Sequence, residues 1–365
     1  MDFTEVEKHY YSWLHFKNDP LLVRTLYSLV LANRWDSDPV WALLVGPSGS
    51  GKTELLTSLT GSDNAVFVST LTPYALASGF GTGDDSLLYQ LDGNFLVVED
   101  MSAVTELNAD ARNTLFSFLR SAYNGNFTRA TGRGKIEWTG KFGFVGGAVP
   151  MMEANAKIDH SLGERFLYLR PKVDMADQDA LLERVLGSAT QKGTMRRVLK
   201  NVAGVFLKQD VDITDRKLRR SVIDAAKGAA IALSRVRTSA IRHSFSREIE
   251  FPLEVSEMGT RLLTQFLVIA LAAKSIGTSP EITESILYRI MLDSMPYVRC
   301  RILREIYSGT TTHRDLTGRM RMSTSQLGRH LEELRILRIL TLDKRKEYSI
   351  ENATIAHALS RESPP

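Results

Sequence analysis

The chain predicts an α/β unit on a parallel sheet, then an all-helical region, then a C-terminal winged helix-turn-helix. Three observations carry this expectation. Short apolar runs alternate with helical stretches through the first half, the pattern of a parallel sheet covered on both faces. The strand signal stops after Pro171, and only helical periodicity follows. Residues 296–350 then change again, to three short helices and a β ribbon. At ~100–200 residues per domain, 365 residues leave room for two or three packed units.

Residues 1–39 read as a helical segment, with Trp13, Leu14, Leu22, Val23, Leu26, Leu29 and Val30 at helical spacing over 3–35 and a break at Asp36-Ser37-Asp38-Pro39. Residues 40–174 form the α/β core. Its apolar runs are VWALLVG (40–46), AVFVST (65–70), NFLVVED (94–100), KFGFVGGAV (141–149) and RFLYLR (165–170), with a helix at 108–123. Residues 175–295 carry helical patterns at 176–187, 191–208, 215–240, 257–276 and 281–294, a helical lid. Residues 296–352 order as helix, helix, turn near Arg321-Met322, helix and ribbon, a winged helix-turn-helix. Residues 353–365 read as a tail.

Composition narrows the class. Hydrophobic residues at 43% and charged residues at 24% exclude a mainly disordered chain and a fibre. No apolar run approaches the ~18 residues of a membrane helix. The opening MDFTEVEKHYYSWLHF does not read as a signal or transit peptide, and Cys300 stands alone, so a reducing cytoplasm is expected. Charge is segregated. Residues 1–150 hold 11 Lys/Arg against 16 Asp/Glu, whereas 190–247 hold 14 against 4 and 296–346 hold 12 against 5. Basic segments beside an acidic half suit a polyanionic partner.

Gly46-Pro47-Ser48-Gly49-Ser50-Gly51-Lys52-Thr53 completes the pattern G-x-x-x-x-G-K-[ST], between a buried strand and a helix. Its glycines let successive backbone N–H groups turn toward phosphate oxygens at the positive end of the following helix. Lys52 would reach the β- and γ-phosphates of ATP, and the Thr53 hydroxyl would bind Mg²⁺. A second acidic group is required at a neighbouring strand end, and Phe95-Leu96-Val97-Val98-Glu99-Asp100 supplies one. Two registers stand open. Either Glu99 assists the metal and Asp100 positions water, or Asp100 binds the metal and Met101 leaves the base position empty.

In the ribbon-bearing segment, Ser323, Thr324, Ser325, Gln326, Arg329 and His330 occupy or flank the start of the expected recognition helix. Gln326 and Arg329 suit base edges, and Lys344, Arg345 and Lys346 suit phosphates. Such a segment also serves elsewhere as a protein-docking module, so a protein partner is the alternative.

With these motifs in this order, residues 40–171 resemble the AAA+ ATPases. More narrowly, they resemble the branch with a β-hairpin before the sensor-1 strand, which includes MCM-type and superfamily-3 helicases and NtrC-like activators. The whole chain is similar to a little-characterised group of bacterial and phage ATPases, through VSTLT (68–72), GKFGFVGG (140–147) and GERF (163–166). The resemblance implies a hexameric ring or a filament, with Arg165 reaching a neighbour's γ-phosphate. It also implies a sensor-2 arginine at Arg261, with Arg219 or Arg220 as alternatives. The hairpin would span Asn126–Lys141, and the resemblance implies that Arg129, Arg133, Lys135 and Lys141 touch DNA, or that the hairpin docks on protein as in the activators. One departure is Val149 at the sensor-1 position, where a polar residue is usual; valine cannot hydrogen-bond water or phosphate. The implied function is ATP-dependent work on DNA as a helicase-like motor, loader or initiator. The alternative is a nucleotide-switched regulator or scaffold with little turnover.

Overall fold

The computed structural model describes all residues except 15, 17, 73–75, 77–85, 132–133, 153–164, 173–181, 184–185, 187–188, 239–240, 243–248, 252–257 and 363–365. Arg133 of the expected hairpin tip, Gly163 and Glu164, and most of the expected helix at 176–187 lie outside the described residues. Two compact units are present: Met1–Lys217 with Leu271–Thr278, and Leu218–Ala270 with Ser279–Pro365.

The first unit opens on α1 (Phe3–Trp13) and α2 (Leu22–Leu31), as the periodicity predicts. Asp2 caps α1 by accepting from the Thr4 N–H at 2.8 Å. The five apolar runs are the five strands of one sheet: β1 (Trp41–Val45), β2 (Ala65–Val68), β3 (Phe95–Val98), β6 (Gly143–Ala148) and β7 (Phe166–Leu169). Between β3 and β6 the chain forms a hairpin of β4 (Asn126–Thr131) and β5 (Gly134–Thr139). Across the sheet the order is β2-β3-β6-β1-β7, and every neighbouring pair is parallel. From β1 the chain crosses to the far edge, steps back through β3 and β6, and passes β1 to add β7. That reversal beside β1 makes its C-terminal end a natural ligand crevice.

Trp41 explains why the sheet holds at β1. Its buried ring meets Tyr123, Phe142, Phe144 and Phe166 at centroid distances of 5.0 to 5.5 Å, and its Nε1 donates to the Phe142 carbonyl at 3.0 Å. Truncating such a ring costs about 3–5 kcal/mol. Tyr123 ends α4 (Ala109–Tyr123), whose N-cap Asn108 accepts from the Ala111 N–H at 2.9 Å. The helix α3 (Lys52–Leu59) lies against α5 (Lys192–Leu207) at a backbone crossing. A Cβ on Gly61 would stand 1.8 Å from the Lys200 carbonyl oxygen, and one on Gly204 would stand 2.3 Å from the Gly61 oxygen. Only glycine permits that approach.

The second unit contains α6 (Arg220–Arg237), a short pair of β8 (Ile241–Arg242) and β9 (Ile249–Phe251), α7 (Thr260–Ser275, shared with the first unit from Leu271 on) and α8 (Pro280–Asp293). The spacing predicts a helix from 215, but α6 begins at Arg220. Asp212 and Asp215 accept from the backbone N–H groups of Thr214 and Lys217 at 2.9 and 3.1 Å, and such local turns compete with helix. Then follow α9 (Tyr297–Tyr307), α10 (His313–Met320), α11 (Thr324–Ile336) and a ribbon of β10 (Leu340–Leu342) and β11 (Tyr348–Ile350), paired Leu340 to Ile350.

The expected tail is in fact helical over α12 (Ala353–Glu362). Asn352 caps it by accepting from the Ile355 N–H at 3.0 Å, Ile355, Ala358 and Leu359 are buried, and Thr354 rests on Gly228 of α6. Among the described residues, no helix is long and apolar enough to cross a membrane.

Candidate phosphate-binding site

The site begins where β1 ends. The Gly46 N–H donates to the Ala148 carbonyl at 3.1 Å, so the loop leaves the sheet anchored to the end of β6. Gly49 and Gly51 both adopt φ of 81°, left-handed backbone that suits glycine. Gly51 is the N-cap of α3 and has no side chain to offer, so no side-chain cap occupies the first-turn N–H groups. Unsatisfied donors and the positive end of the helix dipole coincide there, which is the chemistry of anion binding. Lys52 is folded over the loop, donating to the Gly46 and Pro47 carbonyls at 2.6 and 2.8 Å. Burial pulls its amine below the usual range, and the charge of Asp100 opposes that shift.

The acidic pair continues the β3 ladder. Glu99 N–H donates to the Val68 carbonyl at 3.0 Å and Asp100 N–H to the Ser69 carbonyl at 3.1 Å. β6 lies between β1 and β3, so its end at Ala148-Val149 sits between the loop and the carboxylates. The charges of the two acids act on different cations: that of Asp100 on Lys52, and that of Glu99 on Arg196 of α5. Met101 is fully buried with its N–H on the Gly147 carbonyl at 2.7 Å, so the next position presents no base.

Two features escape a motif reading. Glu54, the residue after Thr53, is held by Arg196 through paired bonds of 2.8 Å and by Lys192 at 3.4 Å. Burial would raise the Glu54 carboxyl, but these cations outweigh it and hold it below its usual range. Arg196 is pushed up, chiefly by its bond to Glu54, with Glu99 adding to the effect. Ser102 is the second feature: its hydroxyl accepts from the Val149 N–H at 3.0 Å and ties the end of β6 to the turn after β3. A Ser two residues beyond an acidic strand end was the available signal. The N-terminal segment also reaches the site, since a Cβ on Gly51 would stand 2.8 Å from the Phe16 ring.

Arg165 precedes Phe166, which pairs with Trp41 at the start of β1, whereas the loop follows Val45 at the other end. At ~3.3 Å per residue the two ends of β1 are separated by roughly 15 Å, so Arg165 is remote from its own chain's loop. Its guanidinium lies 5.5 Å from the Tyr123 ring centroid. Arg261, Arg219 and Arg220 belong to the second unit, where Arg219 meets Glu281 and Arg220 meets Asp224.

In the hairpin, Phe127 pairs with Trp138 and Arg129 with Ile136 on the face turned to α4, and the Arg129 guanidinium lies 4.9 Å from the Phe118 ring centroid. Lys135 is on the opposite face, paired with Glu137. Lys141, expected to end the hairpin and touch DNA, is engaged on its own chain. It follows the hairpin and donates to the Trp35 carbonyl, half-buried, with its amine lowered by burial against the pull of Asp36 and Asp38.

In the second unit, Ser323 and Gln326 form a capping box on α11, so both side chains are engaged in starting the helix. Thr324 is exposed, as is Arg329 on the same helix. Lys344, Arg345 and Lys346 are the exposed three-residue loop of the ribbon.

Among the described residues no group of three or more His, Cys, Asp or Glu could hold a metal ion. Mg²⁺ does not need one: it is held through one or two carboxylates with phosphate and water, and the Thr53 hydroxyl with Asp100 or Glu99 fits that donor set. In comparisons with known proteins, no family model and no curated protein matches the chain.

Proposed function

We propose that the chain binds and hydrolyses ATP as an AAA+ protein of the hairpin-bearing branch, and does so as an oligomer acting on DNA. The observation that carries this reading is an uncapped glycine loop and Lys52 at the C-terminal end of β1, with the charge of Asp100 beyond the end of β3 acting on Lys52. The backbone of residues 46–51 would cradle the phosphates, and Lys52 would exchange its loop carbonyls for phosphate oxygens, pairing its charge with an opposite charge in place of neutral acceptors. Mg²⁺, held by Thr53 and an acidic residue at 99–100, would neutralise charge on the transferring phosphate.

Because the Met101 side chain is in the core, the water-directing role falls to the acidic pair itself. Glu99, beside Arg196, remains the acid that Lys52 does not engage. Arg165 stands too far from its own loop to act there, so it would serve a second chain, and turnover would depend on assembly. The helices and ribbon of 296–352 would act as a winged helix that holds DNA.

A second reading, a nucleotide-switched regulator or scaffold with little turnover, is favoured by Val149 and the missing base at Met101.

Steady-state ATP hydrolysis with and without single- and double-stranded DNA separates the two. Stimulation by DNA, abolished by Lys52→Ala and by Arg165→Ala, is the expected result. Background turnover on every DNA, with ATP still bound, would leave the switch.

A further inference from the structure

Among the described residues, positive φ outside glycine occurs at Arg321 (52°), Arg338 (53°) and Lys346 (63°), and nowhere else. All three lie within one short segment of the second unit, and all three are cations. Each occupies a position where glycine is the usual residue. Arg321 is the left-handed C-cap of α10. Arg338 follows α11, and the Ile339 N–H reaches back to the Leu334 carbonyl at 2.9 Å, the pattern of a Schellman end. Lys346 closes the three-residue ribbon loop after Asp343, whose Oδ1 accepts from the Arg345 and Glu347 N–H groups at 2.9 Å each, so it stands at the bulge position of a three-residue hairpin turn. A long side chain in the left-handed region is strained, because its Cβ crowds the following carbonyl. Elsewhere the chain meets the same need with Gly49, Gly51, Gly93, Gly125, Gly277 and Gly309. Strain kept at three neighbouring turns, each time for a cation, points to what the cations touch.

All three side chains are exposed. None forms an ion pair among the described residues, whereas Arg299 and Arg304 nearby pair with Glu333 and Glu362. Arg321 and Arg338 bracket α11, which at 13 residues and ~1.5 Å rise is roughly 20 Å long. A helix of that length, lying across the roughly 12 Å major groove of a DNA duplex, brings its two ends to opposite phosphate strands. We infer that Arg321, Arg338 and Lys346 are phosphate contacts to duplex DNA, retained against the backbone's preference for glycine. This inference rests on the DNA-binding half of the proposed function and is independent of ATP hydrolysis.

It requires glycine to help the fold and harm binding at the same three positions. The full chain would be compared with Arg321→Gly, Arg338→Gly, Lys346→Gly, the triple variant, and a charge-preserving triple (Arg321→Lys, Arg338→Lys, Lys346→Arg). Melting temperature and anisotropy of a labelled mixed-sequence duplex over a range of KCl would be read for each. The glycine variants should melt at or above the parent. The glycine triple should bind about tenfold or more weakly, with its log–log salt slope shallower by about 0.9 for each lost contact. The charge-preserving triple should bind like the parent. A glycine triple that binds with parental affinity and slope overturns the inference and leaves the DNA reading standing, and one that melts well below the parent shows the cations serving the fold instead. A parent that binds no duplex at any salt ends both.

Discussion

Gly147 offers a direct link between backbone packing and chemistry. A Cβ at this position of β6 would stand 2.5 Å from the Glu99 carbonyl oxygen and 3.0 Å from Leu56 Cδ1. Ordinary contact begins at 3.4 Å, so in Gly147→Ala the acidic end of β3 must retreat by about 0.9 Å, and the neighbour that gives is backbone. Overpacking of this kind costs about 1–3 kcal/mol. In the proposed reaction the catalytic loss should be of similar size, since a misplacement of about 1 Å can reduce turnover on the order of a hundredfold, or about 2.7 kcal/mol.

In the proposed reading the loop of 46–53, and not Glu99, holds the ATP phosphates, so affinity should change by less than about threefold. Gly143→Ala is the control. Its Cβ would stand 2.6 Å from Asn33 Nδ2 and 3.1 Å from the Phe95 Cβ, at the other end of the same strand, so it overpacks away from the carboxylates. Both variants should melt lower by a few degrees. Only Gly147→Ala should lose turnover, measured below both melting transitions. Equal turnover losses in the two variants, or parental turnover in Gly147→Ala, would refute the placement of Glu99 in the reaction.

Two further predictions concern pH. Tyr10 is buried, donates or accepts at 2.6 Å with the Ser58 hydroxyl, and burial raises its phenol to about 12. A raised folded value means its contribution is complete below the unfolded value of about 10 and is lost as pH climbs toward 12. Tyr10→Phe should therefore cost about 1 kcal/mol at neutral pH and flatten the alkaline fall in melting temperature, and an unchanged alkaline profile would contradict this. Glu54 behaves oppositely. Its carboxyl is held below the ordinary range, so its contribution is present above about pH 4.3 and is lost as pH falls through the folded value. Glu54→Gln should lower the melting temperature near neutrality and reduce its acid dependence. A parental melting temperature at pH 7 would show that the Arg196 pair contributes nothing there.

Much of the first unit is legible in the sequence because its signals are local. The five sheet strands coincide with five apolar runs, and the hairpin expected over 126–141 pairs over Asn126–Thr139. What local pattern does not contain is long-range pairing. The order that places β6 between the loop and the carboxylates is written in backbone bonds between residues some fifty to a hundred positions apart, as in Leu96 to Phe144 and Val45 to Ala148. Arg196 lies 142 positions from Glu54, so no motif joins them. Lys141 reads as one more cation near a basic hairpin until Trp35 is seen to hold it. The helix α12 was legible in part, since Asn352 precedes Ile355, Ala358 and Leu359 at helical spacing.

Equilibrium binding of MgATP to the parent and to Lys52→Ala tests the central claim most directly. Saturable binding by the parent at one site per chain, weakened at least tenfold by the substitution, is the expected result. A parent that binds no nucleotide, or a Lys52→Ala chain that binds as tightly as the parent, would contradict the assignment of residues 46–53 as the phosphate-binding loop.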